Sequence, residues 1–65
     1  MNKKDIGAAI IERRNTLKVT QAQVAKLSGV STHTLSNLET GDGNVTLDTL
    51  LKVAQTIGYK VTIGI

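Results

Sequence analysis

The sequence lacks cysteine, proline, phenylalanine and tryptophan, and it has one tyrosine among its 65 residues. Without cysteine the chain forms no disulfide and no thiolate metal site. Without large aromatic side chains the core must be built from Leu, Ile, Val and Ala. This length suffices for one small core, so we expect one domain over residues 1–65 that rests on packed helices or on a partner chain.

Long apolar runs are also missing. No segment approaches the length of a membrane span, and no apolar secretory segment follows Met1. We therefore expect no membrane association and a cytoplasmic location. Hydrophobic residues make up 40% of the chain, which is typical of a globular protein rather than a disordered one.

Negative charge is absent from the middle of the chain. The net charge is +3, and every charged side chain between Glu12 and Glu39 is positive. These side chains are Arg13, Arg14, Lys18 and Lys26. A positive segment of this kind suits a surface that faces phosphates.

Capping residues and glycines divide most of the chain into four helices. The first is expected to start near Asp5, because an acidic residue suits a helix N-terminus. The second starts at Thr20, which forms a capping box with Gln23, and ends at Gly29 in the left-handed conformation. The third is predicted between Ser31 and Gly41, and the fourth between Thr46 and Gly58.

Helical spacing predicts which side chains the four helices bury. One face of the first helix holds Ile6, Ile10, Arg14 and Leu17. The second and third bury Val24, Ala25, Leu27, Leu35 and Leu38. The fourth carries Leu47, Leu50, Leu51, Ala54 and Ile57 at helical spacing.

Two charges of opposite sign, Arg14 and Glu39, point towards the interior. An unpaired buried charge costs several kcal/mol, so we expect the two side chains to form an ion pair. The alternative is that both reach solvent at the rim of the core.

The last seven residues, 59–65, change to a period of two, which is typical of a strand. One face holds Tyr59, Val61, Ile63 and Ile65. A lone strand in a helical chain has no partner, so we expect it to pair antiparallel with the same strand of a second copy. The alternative is a frayed terminus.

The outer face of the third helix carries no Glu, Lys or Arg. It holds Thr32, His33, Ser36, Asn37 and Thr40. These are modest helix formers, but Asn can pair bidentately with adenine and Ser or Thr can bond several base edges. The sequence therefore predicts a helix-turn-helix over residues 20–41, in which Thr32, His33, Ser36 and Asn37 contact bases in the major groove of double-stranded DNA.

Phosphate contacts are expected from other residues. The start of the second helix offers free backbone N–H groups at Thr20 and Gln21, and Ser31 and Thr40 offer hydroxyls. Lys18 and Lys26 supply positive charge. The loop after Gly41 carries Asp42 and no basic residue, which argues against strong phosphate binding by side chains of this loop.

His33 is the one histidine of the chain, and no cysteine is present. A metal site needs several such ligands, and a catalytic base needs a nucleophile and an orienting acid. We therefore expect no metal, no cofactor and no enzymatic activity, and a lone exposed histidine can also be simply solvated.

Residues 20–41 resemble the Cro/repressor-type (XRE) helix-turn-helix family. The matching runs are Thr20-Gln21-x-x-Val24-Ala25, Gly29-Val30-Ser31 and Leu35-Ser36-Asn37-Leu38-Glu39-x-Gly41. The resemblance extends over residues 5–58. It implies an all-α, lambda-repressor-like bundle of four to five helices, with Arg14 and Glu39 as its buried ion pair.

Residues 43–47 and the strand Tyr59 to Ile63 are similar to those of HipB-type antitoxins. This resemblance implies a dimer formed partly through C-terminal strands. We expect a homodimeric repressor of a palindromic operator, with half-sites roughly 34–36 Å apart or a multiple of that distance. The alternatives are an antitoxin that also binds a toxin protein, and an interaction module that has lost DNA binding.

Overall fold

The computed structural model describes residues 1–63, and four helices make up most of this range. They are α1 (Lys3–Thr16), α2 (Gln21–Ser28), α3 (Thr32–Thr40) and α4 (Leu47–Thr56). The predicted all-α fold is confirmed. None of the four helices has both the length and the apolar character needed to cross a membrane.

The strand predicted at residues 59–65 is not formed within residues 1–63 of the single chain. Its predicted partner is a second copy, so its pairing stays a prediction. Gly64 and Ile65, which belong to the same predicted strand, lie outside the described residues.

The start of α1 differs from the expectation. The helix begins at Lys3, and Asn2 is its N-cap. The Asn2 side chain accepts a hydrogen bond from the Asp5 backbone N–H at 2.9 Å, and the Asp5 carboxylate accepts one from the Asn2 N–H at 3.3 Å. Asp5 is therefore the third residue of the helix and the second member of a capping box, so the predicted start was too late.

The other helix ends follow the predicted signals. Thr20, Ser31 and Thr46 are the N-caps of α2, α3 and α4. Gly29 and Gly41 end α2 and α3 at φ 77°, the left-handed region that a residue without Cβ adopts at little cost.

One apolar cluster holds the four helices together. α1 packs across α3, and α2 packs against both α3 and α4. The fully buried side chains include Val24, Leu35, Val53 and Ile57. The predicted buried face of α4 did not include Val53. In the structure the buried stripe of α4 runs through residues 50, 53, 54 and 57.

Four leucines predicted to be buried are exposed. Leu27 is 76% exposed because it lies beside the buried stripe of α2, and Leu17 is 41% exposed because α1 ends at Thr16. Leu47 and Leu51, at 64% and 44%, lie at the edge of the buried stripe of α4. Spacing alone did not distinguish this edge from the buried centre.

Gly7 sets the close approach of α1 to α3. A Cβ at this position would overlap the Glu39 carbonyl group and would lie 2.6 Å from the Leu38 carbonyl oxygen. Both obstacles are backbone atoms that cannot rotate away. The crossing of the two helices therefore requires glycine here.

Gly7→Ala is expected to destabilise the protein. Alanine favours a helix over glycine by about 1 kcal/mol, but the overlap with α3 should reverse the sign and cost about 1–3 kcal/mol net. Urea unfolding measures the change, and Asn15→Ala, at an exposed site on the same helix, is the control that should stabilise slightly. A Gly7→Ala protein more stable than wild type would contradict this crossing geometry.

Candidate nucleic-acid interface

A buried ion pair joins α1 to α3. The Arg14 Nε donates to Glu39 Oε2 at 2.8 Å, and Arg14 Nη2 donates to Glu39 Oε1 at 3.2 Å. The two side chains are 16% and 3% exposed, so this bidentate pair lies in the interior and the alternative of solvation at the rim is wrong.

Two further hydrogen bonds connect this pair to α2. Arg14 Nη1 donates to the Val19 carbonyl at 3.0 Å, in the turn before α2. Gln21 Nε2, from the first residue of α2, donates to Glu39 Oε1 at 2.9 Å. The start of α2 is therefore held against the end of α3, which fixes the geometry of the helix-turn-helix.

The outer face of α3 has the polar, uncharged character that the sequence predicts. Thr32 and His33 are exposed, and Ser36 and Asn37 are half-buried one turn further along. Asn37 Nδ2 lies 3.4 Å from His33 Nε2, so the two side chains are neighbours. The Asn37 amide oxygen has no hydrogen-bond partner within residues 1–63, which leaves an acceptor for a ligand.

Three groups predicted to bind phosphate already make intramolecular hydrogen bonds. The Thr20 N–H, which was expected to be free, donates to Gln23 Oε1 at 2.8 Å, and Ser31 Oγ donates to Thr34 Oγ1 at 2.8 Å. Thr40 Oγ1 lies 3.0 Å from a carboxylate oxygen of Asp42. The same residues serve as helix caps or contact an acid, so the Gln21 N–H and the lysines are better suited to phosphates than these three groups.

Lys18 and Lys26 are exposed and form no ion pair within residues 1–63. Lys18 has φ 57°, an uncommon left-handed conformation that places it in the turn immediately before α2. Both charges lie on the segment that carries α2.

The loop after α3 is hydrogen-bonded to the start of α1, a contact that the sequence did not predict. Lys3 Nζ donates to the Gly43 carbonyl at 2.8 Å and to Asn44 Oδ1 at 2.9 Å. Lys3 and Asn37 line the same surface groove with Gly43. No local pattern reveals this contact, because it joins residues that are 40 and 41 positions apart.

A family model described as helix-turn-helix matches residues 10–63. The chain belongs to the helix-turn-helix family, of XRE type. The match includes α2, α3 and α4, and the predicted family is thereby confirmed. In keeping with that family the chain is a DNA-binding regulator. Among residues 1–63 no group of three His, Asp or Glu side chains is arranged to hold a metal ion.

Two solved structures are similar over most of their length. The restriction-modification controller protein C.AhdI from Aeromonas hydrophila superposes with a TM-score of 0.81 at 28% identity, over 88% of this chain and 86% of that one. A HipB variant in complex with a 20-mer, O2, superposes with a TM-score of 0.88 at 30% identity, over 98% of this chain and 89% of HipB. A search of curated protein sequences gave no significant match.

Arg14→Met should cost about 3–5 kcal/mol of unfolding free energy, because it leaves the Glu39 carboxylate buried without its cation. Urea unfolding measures this loss. The double variant Arg14→Met with Glu39→Leu should regain most of it, since an apolar pair leaves no unpaired charge. A single variant as stable as wild type, or a double variant no better than the single, would contradict the role of the pair.

Proposed function

We propose that this chain is a sequence-specific repressor that binds a palindromic operator as a homodimer. The uncharged outer face of α3 is the observation that carries the proposal. Thr32 and His33 lie in the N-terminal part of α3, which enters the major groove in the usual helix-turn-helix docking, and Asn37 follows one turn later on the same face. Ser36 is the fourth residue proposed to contact bases.

Asn37 is the strongest candidate for a specific base contact. Its amide can accept from the adenine N6 amino group and donate to N7, a pairing that no other base offers in the same form. The neighbouring His33 restricts the amide on one side, at 3.4 Å. A restricted amide loses less rotamer entropy on binding, which favours discrimination between bases.

Backbone phosphates would bind at the start of α2. Thr20 Oγ1 occupies the Gln23 N–H, and the N–H groups of Gln21 and Ala22 have no acceptor within residues 1–63. These groups and the helix dipole attract an anion, and Lys18 and Lys26 add charge. Ser31 and Thr40 are the weaker members of the predicted phosphate set because of their internal bonds.

The homodimer would form through the C-terminal tail, residues 59–65. Arg13 Nε donates to the Ile57 carbonyl at 2.9 Å, and the guanidinium lies 5.7 Å from the centre of the Tyr59 ring. Tyr59 is thereby held on α1, while Val61 and Ile63 are 44% and 95% exposed. An exposed apolar edge of this kind is suited to pairing with the same strand of a second copy.

A second candidate function is that of an antitoxin, which would bind both operator DNA and a toxin protein. The observation that favours it is the similarity to HipB over 98% of this chain. A toxin-like reading frame beside the gene, whose product co-purifies with this chain, would distinguish the antitoxin from a simple repressor. Neither function needs a catalytic group or a cofactor, and we propose none.

Asn37→Ala should weaken binding to a site selected from random DNA by about 1–3 kcal/mol, and binding to unselected DNA much less. Fluorescence anisotropy with both duplexes measures the difference. The matched control is Asn15→Ala, the same substitution on the exposed side of α1. Equal losses on the two duplexes would mean that Asn37 does not contact bases.

Removal of residues 59–65 should shift the dimer towards monomer in sedimentation. Val61→Glu should do the same, because it puts a charge on the apolar face of the proposed strand, and Thr62→Glu, on the opposite face, is the matched control. An unchanged dimer in the truncated and Val61→Glu proteins would place the interface elsewhere.

A further inference from the structure

The loop after α3, residues 41–46, borders the face of α3 that is proposed to contact bases. Its one charged side chain is Asp42, so the negative charge of the loop itself would repel a phosphate. The Asp42 N–H donates to the Asn37 carbonyl at 2.9 Å, and its carboxylate lies 3.0 Å from Thr40 Oγ1. The carboxylate is thus directed back at the end of α3.

The start of α1 brings positive charge to this loop. Lys3 Nζ lies 2.8 Å from the Gly43 carbonyl oxygen and 2.9 Å from Asn44 Oδ1. Both acceptors are neutral, and no carboxylate within residues 1–63 is close enough to Lys3 for an ion pair. An ammonium has three N–H donors, so one donor of Lys3 Nζ is left for a further acceptor.

Lys3 also lies beside the base-contacting face. Lys3, Asn37 and Gly43 line one groove, and a Cβ built on Gly43 would lie 3.8 Å from Asn37 Nδ2. The ammonium is therefore at the edge of that face, where a duplex bound to α3 would present its phosphate backbone. Lys4 is the next basic residue, and its side chain lies over Gly41.

We propose that Lys3, held by Gly43 and Asn44, is a phosphate-binding residue of the DNA interface. This inference rests on the proposed function. Lys3 of α1 supplies the positive charge that the loop sequence lacks. The close crossing of α1 and α3 at Gly7 places Lys3 beside this loop. Lys3 acts as a point charge, so it adds affinity without sequence preference.

The test compares Lys3→Gln with wild type in fluorescence anisotropy titrations over a range of salt concentrations. Each phosphate contact contributes about 0.9 to the slope of log K against log salt, so a dimer on two half-sites should lose about 1.8. At 0.1 M salt the affinity should fall roughly eightfold for each Lys3, equally on selected and unselected duplexes. Lys3→Arg should keep the wild-type slope.

Lys52→Gln is the matched control, because Lys52 already faces Asp48 at 3.3 Å on α4. Its slope should equal that of wild type. Circular dichroism melts and sedimentation of each variant separate a lost phosphate contact from lost folding or dimerisation.

Two results would overturn the assignment while leaving the proposed function intact. One is a Lys3→Gln protein that keeps the wild-type slope of log K against log salt but melts at a lower temperature. Lys3 would then only stabilise the contact between α1 and the loop. The other is an equal loss of slope in Lys52→Gln, which would indicate a general charge effect. A wild-type chain without salt-dependent DNA binding would instead contradict the proposed function, and the Lys3 assignment with it.

Discussion

The buried ion pair between Arg14 and Glu39 holds the first three helices in their relative positions. Desolvation of two charges is costly, and Coulomb attraction offsets it only when geometry and additional hydrogen bonds are good. Here the bidentate contact is completed by the Val19 carbonyl and the Gln21 amide. One pair therefore joins α1, the turn before α2, and both helices of the helix-turn-helix. In a chain without disulfides this pair fixes the direction in which α3 presents its outer face.

The crossing of α1 over α3 also determines which side chains lie beside the outer face of α3. Because Gly7 has no Cβ, α1 approaches the backbone of α3 closely at Leu38 and Glu39. The first turn of α1 then extends over the loop after α3, where Lys3 bonds to the loop. The position of α3 and the charge at its edge thus follow from one helix contact, and a change at Gly7 should disturb both.

The elements that depend on neighbouring residues were predictable from the sequence. A capping box needs partners three residues apart, so Thr20 with Gln23 identified the start of α2, and the uncharged face of α3 followed from helical spacing. Burial was less predictable, since Leu27 and the two exposed leucines of α4 fit a helical stripe as well as the buried residues do. Gly7 and Lys3 were missed because their roles arise from contacts between distant segments, which local patterns do not contain.

We expect the outer face of α3, flanked by the start of α2, to contact DNA. The most direct test is a titration of the ¹⁵N-labelled protein with a duplex, followed by amide chemical shifts. The largest changes should occur at Thr32 to Asn37 and at Gln21 and Ala22. Changes confined to α4 and the tail, with α3 unaffected, would contradict this expectation.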